Sequence, residues 1–530
     1  MSADRITFIP LGGVDNIGAN CFLIETPHTR LLLDAGLKFP YDDKFGIRYL
    51  SPQYAQYPRP DALLITHGHE DHIGSLSRVT ATFPGLPIYA PEFAKKIIKS
   101  RYPEAGLKIS PIAHHKIQKF DGGLELIPIL VEHSTPDTFA FLFLFHPQKL
   151  AVLYCSDFKI SGDESAPREI LNARSLFPAD YRSVLMADST NISSSSNRSG
   201  SESSLPQTFQ YLFSKKRESR IFVTTFPSNV ERLATLLREA KRAKRAIYLM
   251  GRSMEFYSKL GQDQGLLEFC PEALENSKKL PKGAIGLVSG CQGDMRSRFS
   301  NLLNSNDDFT NDLFVFSSKT IPGNENAVNN LVNLAYQKGA EVFSEDLPVH
   351  VSGHACREDL AELYRAYRPD LFVPIHGESH HLHRHSEYFR SLSPDKDSLI
   401  IRKHQALHMN SKGQSISKLQ DHGLEFVQGE NSIPMDPKVM GRRRALAKGG
   451  AVFVSFDPKT SLCQVSTQGV GFESTTKEQL KQIVFSIVSK NLNGDHSSLI
   501  KEIKRELGQY LIEKFGQKAV LIVHSPSGDD

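Results

Sequence analysis

The sequence predicts an α/β chain in which a strand-rich domain is interrupted by an inserted α/β domain and followed by a small α+β domain. Three observations predict it. Short apolar runs broken by turns fill the first 190 residues and resume after about residue 345, strand–helix alternation occupies the stretch between, and two long amphipathic helices with short strands close the chain. With 530 residues, and about 150 residues to a domain, three or four domains are expected.

Composition narrows the class. A net charge of +4, 23% charged residues and 40% hydrophobic residues exclude disordered, fibrous and coiled-coil chains. A nearly balanced charge does not advertise nucleic-acid binding, so any such surface has to be a local patch. No apolar run approaches the ~18 residues of a membrane span, so no membrane partner is expected. The opening MSADRITFIPLGG is too short in its apolar part for a signal peptide and reads as a first strand. Six cysteines lie scattered without a CxxC pair, which points away from a disulfide framework and towards a reducing cytoplasm. The 20 histidines stand out, many of them crowded into short stretches.

Taken in order, RITFIPL, NCFLIET, TRLLLDAG, ALLITHG, LELIPI, FAFLFLF, KLAVLYCSD and VLMADST read as strands buried on both faces or at a sandwich core, with EFAKKIIKSRY a helix among them. The Ser-rich run SSSSNRSGSESS, residues 193–204, reads as a flexible linker or, from Ser201 or Ser203, as a helix cap. RIFVTTF, AIYLM, AIGLVSG and DLFVFSS then each precede a helical segment, the pattern of a parallel sheet flanked by helices. VHVSGH, LFVPIHGE and SLIIRKH resume the first texture. After a polar stretch at about 411–441, AVFVSFD, SLCQVST and AVLIVHS read as strands and KEQLKQIVFSIVSKNL and SLIKEIKRELGQYLIEKF as amphipathic helices. The expected divisions are 1–195 and 345–440 for the interrupted domain, 196–344 for the insert and 446–530 for the last domain.

The strongest chemical signal is DALLITHGHEDHIG, residues 61–74. An apolar strand ends at Thr66, and His67, His69, Asp71 and His72 follow within six residues. His67 and His69 can converge on one ion while Asp71 and His72 face a second. Two ions about 3.5–4 Å apart form a hydrolytic clamp. Four residues cannot complete two sites, so further ligands are needed. His133, Asp157 and His376 each close an apolar run and are the candidates. Asp34, in the DAG turn, is either a plain turn residue or an acid that orders the metal loop.

This order of HGHEDH, His133, Asp157 and His376 resembles the metallo-β-lactamase fold. LLLDAGLKFP, ADSTN, TTFPSNVER, SGCQGD, SSKTIPGNE, HVSGHA and FVPIHGE, spread over residues 12–385, are similar to its β-CASP nuclease branch and, within it, to the ribonuclease J family. The resemblance implies an αββα sandwich with an inserted β-CASP α/β domain. It implies two zinc ions, with manganese or magnesium able to stand in, one held by His67, His69 and His133 and the other by Asp71, His72 and His376, with Asp157 bridging. It implies Asp71, Asp188 and His354 as catalytic residues, with Ser352 and His354 on the scissile phosphate. It further implies Ser228 and Asn229 as a loop for the 5′ monophosphate of single-stranded RNA, cleavage by 5′-to-3′ exonuclease and endonuclease action, and a homodimer or homotetramer. FPSN, CQGD and the chain's last hundred residues depart from the family's usual pattern.

Other readings stand beside these. Lys215–Arg217, Lys241–Arg245 and Arg442–Arg444 are basic runs that either track an RNA backbone or are solvated helix faces. His380, His381, His383 and His385 are expected on a helix with His381 near the site and the others in solvent. A small-molecule metallo-hydrolase and a metal-free RNA-binding scaffold are the rival classes. The insert argues against the first and the full ligand set against the second.

Overall fold

The computed structural model describes residues 5–40, 45–103, 106–215, 217–343, 347–420, 422–429, 433–457, 460, 462–471, 474–490, 496–516 and 518–525. Lys216, the junction at 344–345 and the tail 526–530, on which sequence expectations fall, lie outside the described residues.

Two units are distinct, residues 1–41 with 50–424, and residues 42–49 with 425–530. The first is built on two facing sheets. One has eight strands, in the order Gly413–Lys418, Gln405–Asn410, Ile6–Pro10, Phe22–Glu25, Arg30–Leu33, Ala62–Leu64, Ile88–Pro91 and Ile109–Ile112. The other has seven, in the order Asp397–Ser398, Leu371–Ile375, Arg182–Asp188, Leu150–Cys155, Phe139–Phe145, Leu124–Leu130 and Gln118–Phe120. The run FAFLFLF shows why both faces are apolar. Strand side chains alternate between faces. Phe141, Phe143 and Phe145 accordingly enter the core between the sheets with Phe8, Phe22 and Tyr154, while Ala140, Leu142 and Leu144 pack under the outer helices with Leu360, Leu363 and Phe389. Helices on the outside of both sheets make this the αββα sandwich that the sequence predicts.

A third sheet of five parallel strands, Ile247–Met250, Ile285–Val288, Ile221–Thr224, Leu313–Phe316 and Glu341–Val342, stands between the two halves of the sandwich in chain order. Its helices cover both faces. Leu233, Leu236 and Leu237 pack on one side, and Phe299, Leu303 and Leu331 pack on the other around the stacked rings of Phe222 and Phe314.

The Ser-rich run leading into this insert is not a free linker. Ser199 N donates to buried Asp359, Arg198 pairs with Glu358 and Glu362, Lys159 Nζ donates to Gly200 O, and Ser201 caps the turn Glu202–Ser204. Serine-rich composition suggests mobility, but here hydroxyls and backbone groups find fixed partners.

In the second unit, Ala451–Asp457 pairs antiparallel with Leu462–Gln468 and parallel with Val520–His524. The helices Ser474–Lys490 and His496–Phe515 bury Leu480, Val484, Leu507 and Leu511 against Val452 and Val454. Among the described residues no helix is long and apolar enough to cross a membrane.

Candidate metal centre

Parallel strands carry their carboxyl ends to one edge of a sheet, and ligand sites gather there. Arg30–Leu33 and Ala62–Leu64 run parallel in the first sheet, and Leu150–Cys155, Arg182–Asp188 and Leu371–Ile375 in the second. Asp34, His67, Asp157, Asp188 and His376 each lie at or just beyond the end of one of these strands. His69 caps the short helix Glu70–Ile73 that holds Asp71 and His72. Gly36 is required beside it, because a Cβ there would sit 1.7 Å from Asp71 O. Asp34 and His376 adopt left-handed backbone, at φ 58° and 51°, a strained arrangement for non-glycine residues that clusters at functional sites.

Seven side chains converge in two groups. His67, His69, His133 and Asp157 form one, and Asp71, His72, Asp157 and His376 form the other, with the ligand atoms of each group within 4.8 Å of one another. Asp157 belongs to both, and its two oxygens face different ways. Oδ2 lies 3.7 Å from His67 Nε2 and 3.5 Å from His133 Nε2, whereas Oδ1 lies 3.1 Å from His72 Nε2 and 3.6 Å from His376 Nδ1. Asp71 Oδ2 completes the second group at 3.3 Å from His376 Nε2 and 3.6 Å from His72 Nε2.

The donor set fits divalent cations. Imidazole and carboxylate together suit zinc, and carboxylate-rich sites also accept manganese or magnesium. Among the described residues buried Asp157 Oδ1 has no well-formed hydrogen bond: its neighbour His72 Nε2, at 3.1 Å, belongs to a ring whose Nδ1 already serves Asp34. That is a costly state for a carboxylate oxygen unless a cation meets it. Burial pushes His67 well below the usual imidazole range and His133 down to about 3, so both are neutral, the form that ligates metal. Burial also opposes ionisation of Asp157, yet His376, His72 and His67 hold its carboxyl well below the usual range.

Each imidazole of the two groups is fixed from behind. His72 Nδ1 donates to Asp34 Oδ2 at 2.8 Å, and Thr66 donates to the same carboxylate through N and Oγ1. Thr66 Oγ1 lies 3.0 Å from His67 Nδ1, and His133 Nδ1 donates to Gly353 O at 2.6 Å. Asp188 serves two rings. Oδ1 accepts from His376 Nδ1 at 3.0 Å and Oδ2 from His354 Nδ1 at 2.8 Å. His354 itself keeps a side-chain exposure of 24%. Beside it, Ser352 Oγ accepts from Asn191 Nδ2 at 2.6 Å and from His354 N at 3.2 Å, which leaves its hydroxyl proton free to donate.

Ser228 and Asn229 follow the central strand of the insert. Asn229 Oδ1 caps the helix Val230–Arg242 through Arg232 N, and its Nδ2 donates to Glu202. Ser228 Oγ lies 3.1 Å from His69 Nε2. Sequence reasoning missed Asn20, Thr66, Asn191 and Gly353. Asn20 Nδ2 donates to Asp71 Oδ2 at 3.2 Å, and Asn191 also accepts from Lys319 Nζ at 3.0 Å. Thr66 was signalled by its place beside HGH. The others are generic polar or backbone groups with no local signature.

Two surface expectations need correction. His385 is fully buried rather than solvent-facing, because its ring meets Phe372 edge-to-face at 4.7 Å between centroids and bonds to Ser189 Oγ at 2.9 Å and to Tyr364. Arg245 is buried as well, with its guanidinium spent on the carbonyls of Gly283 and Phe213.

Comparison with known proteins agrees with this arrangement. Residues 14–151 match the Metallo-beta-lactamase superfamily, 218–335 the Ribonuclease J, beta-CASP domain, and 348–398 the Zn-dependent metallo-hydrolase RNA specificity domain. The chain is 27% identical to Ribonuclease J of Helicobacter pylori (strain ATCC 700392 / 26695) over 99% of its own length and 80% of that protein. It is 28% identical to Ribonuclease J of Sinorhizobium meliloti over 98% and 97% of the two chains. A crystal structure of a protein of unknown function from Enterococcus faecalis V583 shares the fold, with a TM-score of 0.53 at 16% identity over 77% of this chain and all of that one. Matched region by region in the order sandwich, insert, returning sandwich, and with relatives that run its whole length, the chain belongs to the ribonuclease J family, in the β-CASP branch of the metallo-β-lactamase superfamily.

Proposed function

We propose that this metal-dependent ribonuclease hydrolyses RNA phosphodiesters with two zinc ions, acting both from the 5′ end and internally. The observation that carries the reading is Asp157, whose two oxygens address two separate sets of histidines. His67, His69 and His133 would hold one ion, Asp71, His72 and His376 the other, and Asp157 both. When bound, the pair supplies a water activated near neutral pH and positive charge against the phosphate oxygens. Asp71, at 30% side-chain exposure, is the ligand carboxylate best reached by solvent and accepts a proton from the attacking water. Burial opposes charge on His354, but Asp188, accepting from Nδ1–H, outweighs it and favours the imidazolium, so Nε2 also carries a proton, which goes to the leaving 3′ oxygen. Ser352 donates its hydroxyl proton to a phosphate oxygen.

Ser228 and Asn229 form the loop that meets a 5′ monophosphate. With the amide of Asn229 spent inside the fold, and the N–H groups of Asn229, Val230 and Arg232 bonded to Phe226 O, Ser228 O and Asn229 Oδ1, Ser228 Oγ–H makes the contact. Single strands are preferred, since unpaired bases can stack and thread where a duplex cannot. Free cysteines at all six positions support a cytoplasmic setting. Exposed Phe453, Leu462 and Ile522 on the last sheet support assembly into two or four copies.

The test is cleavage of one RNA carrying a 5′ monophosphate or a 5′ triphosphate by the wild type and His69→Ala, with metal content measured. Faster mononucleotide release from the monophosphate, about two equivalents of metal and an inactive variant are expected. A metal-loaded wild type that leaves RNA intact overturns the reading.

A further inference from the structure

Five imidazoles point a nitrogen into the metal centre, and each has a partner on its other nitrogen. For His67, His72, His133 and His376 that partner comes from the sandwich itself, as Thr66, Asp34, Gly353 and Asp188. His69 differs. Its Nδ1 turns inward, 3.1 Å from His67 Nε2 and 3.2 Å from His133 Nε2, and its Nε2 faces Ser228 Oγ at 3.1 Å. Ser228 is 159 residues away in sequence and stands on the loop after Ile221–Thr224, the central strand of the inserted sheet.

That loop is held firmly. Arg232 is fully buried and donates to both oxygens of Glu202, to Ser317 O and Oγ, and to Val349 O. Asn229 joins the same carboxylate and caps the helix. The hydroxyl of Ser228 is therefore presented to His69 by a network that spans the insert, the Ser-rich run and the returning chain at Val349. With Nδ1 aimed at the ion, Nε2 carries the ring proton, and a serine oxygen is a suitable acceptor for it.

We propose that Ser228 is a positioning residue for the metal centre, fixing the tautomer and tilt of His69 from the inserted domain so that retention of the first ion depends on where the insert sits. This rests on the two-ion reading above. Partners of this kind orient the ligand and raise its basicity, and their loss weakens metal binding about 10- to 100-fold. The coupling is reciprocal: a seated insert tightens the ion, and a bound ion holds the insert's loop in place. The oxygen that accepts from His69 still has its own proton to donate, so a phosphate arriving at this loop touches the metal centre through one atom.

The experiment uses the full chain as wild type, Ser228→Ala and Ser228→Thr, with zinc alone as the probe. Zinc affinity is measured by competition with a chromophoric chelator, and the metal-free proteins are melted in parallel. Ser228→Ala is expected to bind its first zinc about 10- to 100-fold more weakly with an unchanged metal-free melting temperature, and Ser228→Thr to recover most of the loss. Equal affinity in Ser228→Ala, or equal losses in both variants, overturns the proposal. A lowered metal-free melting temperature in Ser228→Ala also overturns it, since the residue would then serve folding. A wild type that takes up no zinc refutes the two-ion reading itself, a separate outcome from these.

Discussion

Replacing Asp188 with Asn gives the sharpest test of the catalytic assignment. The carboxylate accepts from His376 Nδ1 and Thr190 on one oxygen and from His354 Nδ1 on the other. An asparagine of the same shape can keep its carbonyl towards Thr190 and His376, which turns its NH2 towards His354. Two donors cannot share that contact, so His354 must give up its Nδ1 proton, leaving a neutral ring whose Nε2–H is a far weaker acid than the imidazolium, or swing away. Either change removes the acid intended for the leaving oxygen. Hydrogen bonds to a charged group contribute about 1.5–3 kcal/mol each. Two weakened bonds come to about 3–6 kcal/mol, and at about 1.4 kcal/mol per decade the chemical step slows by about 10²- to 10⁴-fold. The assay is single-turnover cleavage of a labelled oligoribonucleotide at saturating enzyme, with metal content measured alongside. A second substrate carries sulfur in place of the 3′ bridging oxygen. A thiolate leaves without protonation, so most of the loss should disappear on it. Cleavage within about tenfold of wild type on the oxygen substrate refutes the argument. An equal loss on both substrates refutes it too, because Asp188 would then act on something other than the leaving group.

Three further outcomes follow from the same geometry. Burial pushes His385 down to about 3, whereas an unfolded imidazole titrates near ~6.5. The folded state therefore excludes a proton that the unfolded state takes up, and stability present above pH ~6.5 falls as pH drops towards 3, by about 2 kcal/mol at pH 5. Denaturant melts of His385→Gln should show a flatter acid limb, and an unchanged limb counts against the assignment. Gly36→Ala places a methyl 1.7 Å from Asp71 O. Overpacking of this kind costs about 1–3 kcal/mol or more, so thermal melting should show a destabilised protein with reduced metal content, and wild-type values in both would contradict the packing. Chelation should abolish cleavage and lower the melting temperature by mass action while far-UV dichroism stays unchanged, because the apolar core between the sheets does not involve the ligands. Loss of secondary structure on chelation would show that the ions are needed to fold the sandwich.

Much of the site is legible in the sequence because a polar residue that ends an apolar run stands out. His67, His133, Asp157 and His376 stand out that way, Asp188 enters only through the family resemblance, and FAFLFLF declares its two-sided burial outright. What escapes is whatever depends on tertiary approach. Gly353 contributes a carbonyl, which every residue has. Asn20 looks like any loop asparagine until Asp71 lies 3.2 Å away. His385 follows a run of histidines that reads as solvated, but the helix turns it onto Phe372. The Ser-rich run has linker composition, yet Asp359, Glu362 and Lys159 fasten it down. For Ser228 the sequence offered a strand end and a helix start but not the ring of His69.

The return of the chain to the sandwich after the insert also sets a timetable. A ribosome that has just released Asp157 has made His67, His69, Asp71, His72 and His133, but His354 and His376 lie beyond the whole inserted sheet. About 220 residues separate Asp157 from His376, which takes roughly 10–45 s at about 5–20 residues per second. By the proposed roles, the nascent protein lacks its last ligand throughout that interval and its proton donor for most of it. By the proposed ligand set, a complete metal centre forms only once the strand that leads into His376 has been made and laid beside Arg182–Asp188.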